Sequence, residues 1–118
     1  MKTLVIGAST DESRYANKAI KSLVLHGHQV VAIGKKSGVV SGINIDTHNA
    51  PYQNVDTVTL YINPSHQAVL YDYIFSLKPR RIIFNPGTEN DELEMLAEKK
   101  GIVTERACTL VLLSINAY

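Results

Sequence analysis

The stretch that most limits how this chain can fold is Thr3 to Lys36, TLVIGASTDESRYANKAIKSLVLHGHQVVAIGKK. An apolar run, Leu4-Val5-Ile6, stops at Gly7 and passes through Ala8, Ser9 and Thr10 before a helical pattern begins. The run is too short for a helix and rich in β-branched residues, so it reads as a strand buried on both faces. Asp11, Glu12 and Ser13 supply helix-start chemistry. Ala16, Ala19, Ile20, Leu23 and Val24 then fall on one face of a helix, with Arg14, Asn17, Lys18, Lys21 and Ser22 on the other. The helix is expected to end near His26, with Gly27 in the left-handed position after the last turn. Gln29 to Ile33 follows as a second strand and closes a β-α-β unit of about thirty residues.

Residues 37–54 change character, with few bulky side chains. Val39-Val40 and Ile43 to Ile45 around Ser41-Gly42 read either as a small hairpin or as a surface loop. Asp56 to Ile62 alternates, with Val58, Leu60 and Ile62 on one side and Thr57, Thr59 and Tyr61 on the other, and predicts a third strand. Asn63-Pro64-Ser65 stops it and starts a helix carrying Leu70, Tyr73, Ile74 and Leu77, which Pro79 ends. Arg81 to Asn85 is the fourth strand, and Pro86-Gly87 turns the chain. A third helix is capped by Thr88 or Asn90, has acids in its first turn and buries Leu93, Leu96 and Ala97. Ile102 to Thr104 is the fifth strand. Thr109 to Ile115 fits a strand or a helix, and alternation with the preceding strand favours the helix.

Strands alternating with helices at this pitch predict one α/β domain over residues 1–118, with a mainly parallel five-stranded sheet and helices on both faces. In such sheets ligands lie outside the carboxyl ends of the strands, where the strand order reverses. Gly7-Ala8-Ser9, Gly34-Lys35-Lys36, Asn63-Pro64 and Asn85-Pro86-Gly87 are the strand ends expected to converge there. Length, 118 residues with 45% hydrophobic content, allows one core. A net charge of +1 recommends neither nucleic acid nor an anionic membrane. The apolar runs are far short of the roughly 20 residues of a membrane span. No export pattern follows Lys2, which makes a cytoplasmic protein the expectation. Cys108, the single cysteine, forms no internal disulfide, and no Cys/His spacing suggests a metal.

A helix start offers unpaired N–H groups and the positive end of a dipole, which suit a pyrophosphate. Gly7 permits a sharp turn, Ala8, Ser9 and Thr10 leave room for phosphate oxygens, and Arg14 offers a bidentate contact. The dinucleotide fingerprint wants three glycines and GASTDES supplies one, so an ordinary strand-to-helix turn is the competing reading. The second strand ends in Lys35-Lys36 where an NAD site carries an acid. Two solvated lysines would look the same; read as a site, the pair disfavours NAD and leaves NADP or coenzyme A, each with an extra ribose phosphate.

GASTDESRYANKAI, LHGHQVVAIGKK, VDTVTLYINPSHQ, RIIFNPGTEN and GIVTERACTLVLL, in this order and at these spacings, resemble the small single-domain CoA-binding proteins of bacteria. These share a Rossmann-like fold with the CoA-binding domain of the succinyl-CoA synthetase α subunit. The resemblance covers nearly the whole chain. It implies that Gly7, Ala8, Ser9, Thr10 and Arg14 hold the pyrophosphate of coenzyme A or an acyl-CoA, and that Ile33, Gly34, Lys35 and Lys36 flank the adenosine. It further implies that Ile62, Asn63, Pro64, Asn85, Pro86 and Gly87 line the adenine and pantetheine path. Many relatives have Asn-Pro where this chain has Lys35-Lys36.

No catalytic constellation is legible. His26 and His28 flank a helix end, and His48 and His66 have no acid partner nearby in sequence. Cys108 is the one reactive candidate, either buried or placed to meet the pantetheine thiol. The expected role is a CoA-binding carrier, sensor or subunit. An NADP-binding oxidoreductase-like domain and an interaction protein with a vestigial pocket are the alternatives. Tyr71 and Tyr118 are candidates for a homodimer or partner surface.

Overall fold

The computed structural model describes residues 1–118. Seven strands and four α-helices follow in the order β1 (Lys2–Ala8), α1 (Tyr15–Leu25), β2 (Gln29–Gly34), β3 (Gly38–Val40), β4 (Ile43–Asp46), β5 (Val55–Leu60), α2 (Tyr71–Ser76), β6 (Arg81–Phe84), α3 (Asp91–Lys99), β7 (Val103–Arg106) and α4 (Thr109–Ser114). The strands form one sheet in the order β3-β4-β2-β1-β5-β6-β7. Every pairing is parallel except the β3–β4 hairpin. No helix is long and apolar enough to cross a membrane.

The sheet has seven strands rather than five because the 37–54 segment joins it. Ser41 and Gly42 both take positive φ, 50° and 79°, the pairing that lets a two-residue turn follow strand twist. The resulting hairpin buries Val40 and Ile45 against the α1 side of the sheet. It meets β2 only at Ala32–Ile45 and Ile33–Asp46, a contact too short for a periodicity to reveal.

Helices cover both faces. On one, Ala16, Ile20 and Leu23 of α1 and Leu113 of α4 pack on Val5, Val30, Ala32 and Ile45. On the other, Ile74 of α2 and Leu93 and Ala97 of α3 pack on Leu4, Ile33, Val58, Leu60, Ile82 and Phe84. Helix α1 ends as its sequence predicts: Gly27 has φ 82°, with Gly27 N–H donating to Val24 O and His28 N–H to Leu23 O, each at 3.0 Å, the two bonds of a Schellman cap. Thr109 to Ser114 is helical. The segment after Asn63 is two short 3-10 turns, Pro64–His66 and Ala68–Leu70, leading into α2 rather than one continuous helix.

Two side chains depart from what the sequence predicts. Asn17 is buried on the core side of α1, not solvated. Tyr118 is half-buried rather than exposed. Its ring packs against the Arg81 guanidinium at 4.5 Å and His28 at 4.9 Å, and its hydroxyl bonds Thr3 Oγ1. Arg81, itself buried, donates to Thr57 Oγ1 at 3.1 Å and to Glu105 at 3.3 Å. The threonine side of β5 is thus also internal, its hydroxyls taken by Arg81 and, at Thr59, by Thr109 of α4 at 2.8 Å.

The strand order reverses between β1 and β5, and glycine makes the junction possible. Gly7 has φ 95°, and a Cβ there would lie 2.5 Å from Tyr61 O and 2.8 Å from Tyr61 C. A side chain at 7 therefore meets backbone, which cannot swing aside. Gly87 also has positive φ, 91°, but opens onto empty space. Gly7→Ala is expected to lose about 2–5 kcal/mol, the sum of the left-handed penalty and overpacking. Gly87→Ala is expected to lose only the first, about 1–2 kcal/mol. Urea denaturation of the two variants reads the difference, and equal losses would refute the account of Gly7.

Candidate functional site

The β1–α1 connection is an ordered ledge at the reversal point. Ser9 Oγ accepts from Asp11 N–H at 3.0 Å, and the buried Asn17 Nδ2 donates to Ser9 O at 3.0 Å. Asp11 Oδ1 accepts from Ser13 N–H and Oγ–H at 2.9 and 2.7 Å, bonds that hold its carboxyl below the usual range. Asp11, Glu12 and Ser13 therefore shape a turn before the helix rather than cap it. The cap position is Arg14, in extended conformation and without a side-chain cap bond, and no acid lies in the first turn.

Helix α3 is the contrast. Asn90 accepts from Glu92 N–H and Leu93 N–H, and Asp91, Glu92 and Glu94 complement the dipole. The start of α1 keeps its positive end uncompensated. The Arg14 side chain is 72% exposed and 3.8 Å from one oxygen of Asp11, itself 55% exposed, a pair of little energetic weight. Its guanidinium is free to take another anion.

Glycines close the loop from the sides. A Cβ at Gly34 would meet Ala8 O at 2.2 Å, and one at Gly38 would meet Thr10 Cγ2 at 2.3 Å. Gly34 thus serves close packing of β2 on the end of β1. Lys35 and Lys36 beyond it are exposed, and neither is in an ion pair.

Across the reversal point, Asn63 Oδ1 accepts from Ser65 N–H and Oγ–H, both at 2.9 Å, fixing the loop after β5. Ile62 and Pro64 are partly exposed beside it, and Pro86 and Gly87 are exposed at the end of β6. Asn85 is different. It is 2% exposed, its Nδ2 donates to Thr59 Oγ1 at 2.6 Å and Leu60 O at 2.9 Å, and its Oδ1 accepts from Thr109 N–H at 2.8 Å. With its amide fully committed, it positions the loops that carry its neighbours. Gln67, absent from the sequence reading, does similar work: its Nε2 donates to Ile62 O at 3.1 Å and Thr88 O at 2.8 Å, and its Oε1 accepts from Asn90 at 3.0 Å. A glutamine between two 3-10 turns carries no local signal of this.

Cys108 follows β7 and precedes α4, partly buried. It lies on the α1–α4 side with Tyr61, whose hydroxyl is buried without a partner and is pushed up to about 12, chiefly by that burial. Two cavities lie away from the Gly7–Arg14 ledge. One, ≈ 200 Å³, is lined by His26, His28, Leu113, Asn116 and Tyr118. The other, ≈ 300 Å³, opens between β2 and the hairpin, among Val31, Ile43, Asp46 and Tyr52. The ledge itself is open, with Thr10 to Arg14 all exposed.

No curated protein matches the chain in sequence. Among solved structures, the crystal structure of an uncharacterized protein is 49% identical, with a TM-score of 0.96 over 99% of this chain and 97% of that one. The structure of cell-free ID.343 from Thermus thermophilus is 20% identical, with a TM-score of 0.88 over 99% and 90% of the two chains. A dinucleotide-forming acetyl-coenzyme A synthetase from Ca. Korarchaeum cryptofilum is 18% identical, with a TM-score of 0.70; the match spans 87% of this chain and 25% of the synthetase. The last two likenesses concern the fold. A sequence family described as CoA binding domain matches residues 1–114, and the chain belongs to that family.

Proposed function

We propose that the chain binds coenzyme A or an acyl-CoA across the carboxyl ends of its parallel strands and serves as a carrier, sensor or subunit. The observation that carries this is the open start of α1, where the family match supplies the ligand and the ledge supplies the means. First-turn N–H groups, an uncompensated dipole, the Ser9 and Thr10 hydroxyls and the free Arg14 guanidinium all favour a pyrophosphate there. Gly7 and Ala8 leave the backbone within reach. Beside them Ile33 and Gly34 lead to Lys35 and Lys36, which take the ribose phosphate. Ile62, Asn63, Pro64, Pro86 and Gly87 border the adenine and pantetheine path, with Asn85 holding them from behind, and Cys108 stands toward its thiol end.

Thermal unfolding with four ligands tests the reading. A ligand at 100 times its Kd stabilises by about 2.7 kcal/mol, a rise of roughly 10 °C for a chain this size. Coenzyme A is expected to give that rise, dephospho-CoA less, and NAD none. A larger rise with NADP than with coenzyme A would favour the oxidoreductase-like alternative, and no rise with any ligand would favour a vestigial pocket. Equal rises with coenzyme A and dephospho-CoA would remove the lysines from the site. Arg14→Ala is expected to weaken binding about tenfold, the scale of one charged hydrogen bond, without lowering the ligand-free Tm.

Cys108 has its own test. In exchange with CoA disulfide its thiolate attacks one sulfur, a mixed disulfide forms, and the second CoA leaves as thiolate. Intact-protein mass spectrometry is expected to show one CoA added to the unaltered chain and none to Cys108→Ser. No adduct on the unaltered chain would take Cys108 out of the pantetheine path.

A further inference from the structure

The sequence offers no acid after β2, yet the sheet brings one there from the next strand. Asp46, the last residue of β4, pairs in register with Ile33, so the two project to the same face. The carboxylate is half-buried, and no Lys, Arg or His lies within ion-pair distance of it. Its one side-chain partner is the Tyr52 hydroxyl, which donates to Oδ2 and lies 3.4 Å from Ala32 O. Burial and the neighbouring carboxylate push the Tyr52 hydroxyl well above its ordinary range, so it stays protonated and donates to Asp46. Oδ1 retains its capacity to accept.

Asp46 stands at the rim of the ≈ 300 Å³ cavity, which exists because β4 leaves β2 below the Ala32–Ile45 pair. The unpaired Lys35 and Lys36 follow Ile33 by two and three residues. Neighbouring strands lie about 4.8 Å apart and rise about 3.3 Å per residue, so the lysines start one strand over and roughly 8 Å or more from Asp46, a span their long side chains can cover. Such a pair suits a ligand with an anion and a hydrogen-bond donor on adjacent atoms. A ribose with one hydroxyl phosphorylated and the next one free has that arrangement; a base amino group lies farther from the phosphate. An ionised carboxylate takes the hydroxyl and repels a phosphate in its place.

We infer that Asp46, braced by Tyr52, is a specificity-determining residue that accepts the hydrogen bond of the free ribose hydroxyl beside the phosphorylated one. This rests on the coenzyme A reading. The probes are adenosine 3′,5′-bisphosphate and its 2′-deoxy analogue, titrated calorimetrically, with coenzyme A titrated in parallel. The unaltered chain is expected to bind the ribose form about tenfold more tightly than the deoxy form. In Asp46→Ala the two bind equally. In Tyr52→Phe, which keeps the ring and frees the carboxylate, the ratio falls between. Retained binding of coenzyme A by the variants shows that they are folded. A ribose preference that is absent from the unaltered chain, or unchanged in both variants, overturns the inference and leaves the coenzyme A reading standing. Failure of the unaltered chain to bind coenzyme A overturns both.

Discussion

The end of β1 lies against the end of β5 because position 7 carries no side chain; a Cβ there would sit 2.5 Å from the Tyr61 carbonyl oxygen, well inside contact distance. Tyr61 N–H donates to Ile6 O at 2.8 Å, so the parallel ladder runs to the last residue before the chain turns. From there β1 passes into the Gly7–Thr10 ledge over one face and β5 into Ile62-Asn63-Pro64 over the other. Gly34 repeats the device on the opposite side of β1, against Ala8 O. The reversal point is therefore lined by peptide groups rather than side chains. Backbone amides are what a phosphate-bearing ligand needs to approach.

The loops around that point are held by buried amide side chains. Asn17 ties the ledge to α1, Asn85 ties β6 to β5 and to the start of α4, and Gln67 ties the loop after β5 to the loop after β6. A buried polar group left unmatched costs about 1–3 kcal/mol, so the loops tied by Asn85 and Gln67 have one favoured arrangement, whereas Asn17 matches its Nδ2 and leaves Oδ1 buried without a partner. Loops already ordered in the free chain have less freedom to lose when a ligand arrives, and affinity gains by that amount.

The division between what the sequence disclosed and what it did not follows the range of the interactions. Gly27 after Leu25, Asn90 before three acids, and Leu93 with Ala97 are local patterns whose partners lie within a few residues, and those elements appear where expected. Helix α4 appears as alternation required. The proposed site positions around Gly7 to Thr10 and Lys35-Lys36 were legible as strand ends, and Arg14 as a cation at the helix start. What each side chain does there was not. Asn85 bonds residues 24 to 26 positions away, and Asp46 reaches the end of β2 only through a hairpin whose pairing covers two residues. Asn17 occupies a polar position by helical period and is buried because Ser9 O needs a donor. Tyr118 reads as a candidate for a partner surface until the fold brings Arg81 beneath it.

The two ends of the strands carry their charges differently. At the amino-terminal edge the charge is internal: Arg81 has Thr57, Glu105 and the Tyr118 ring around it. A buried guanidinium is tolerable only with such partners. At the carboxyl edge the cations Arg14, Lys35 and Lys36 are exposed, and removing any of them leaves no buried group unpaired. The charges on which the fold depends are thus separate from those proposed to meet the ligand. The exposed cations at the carboxyl ends can therefore be replaced without disturbing the close approach at Gly7 or the amide ties beneath it.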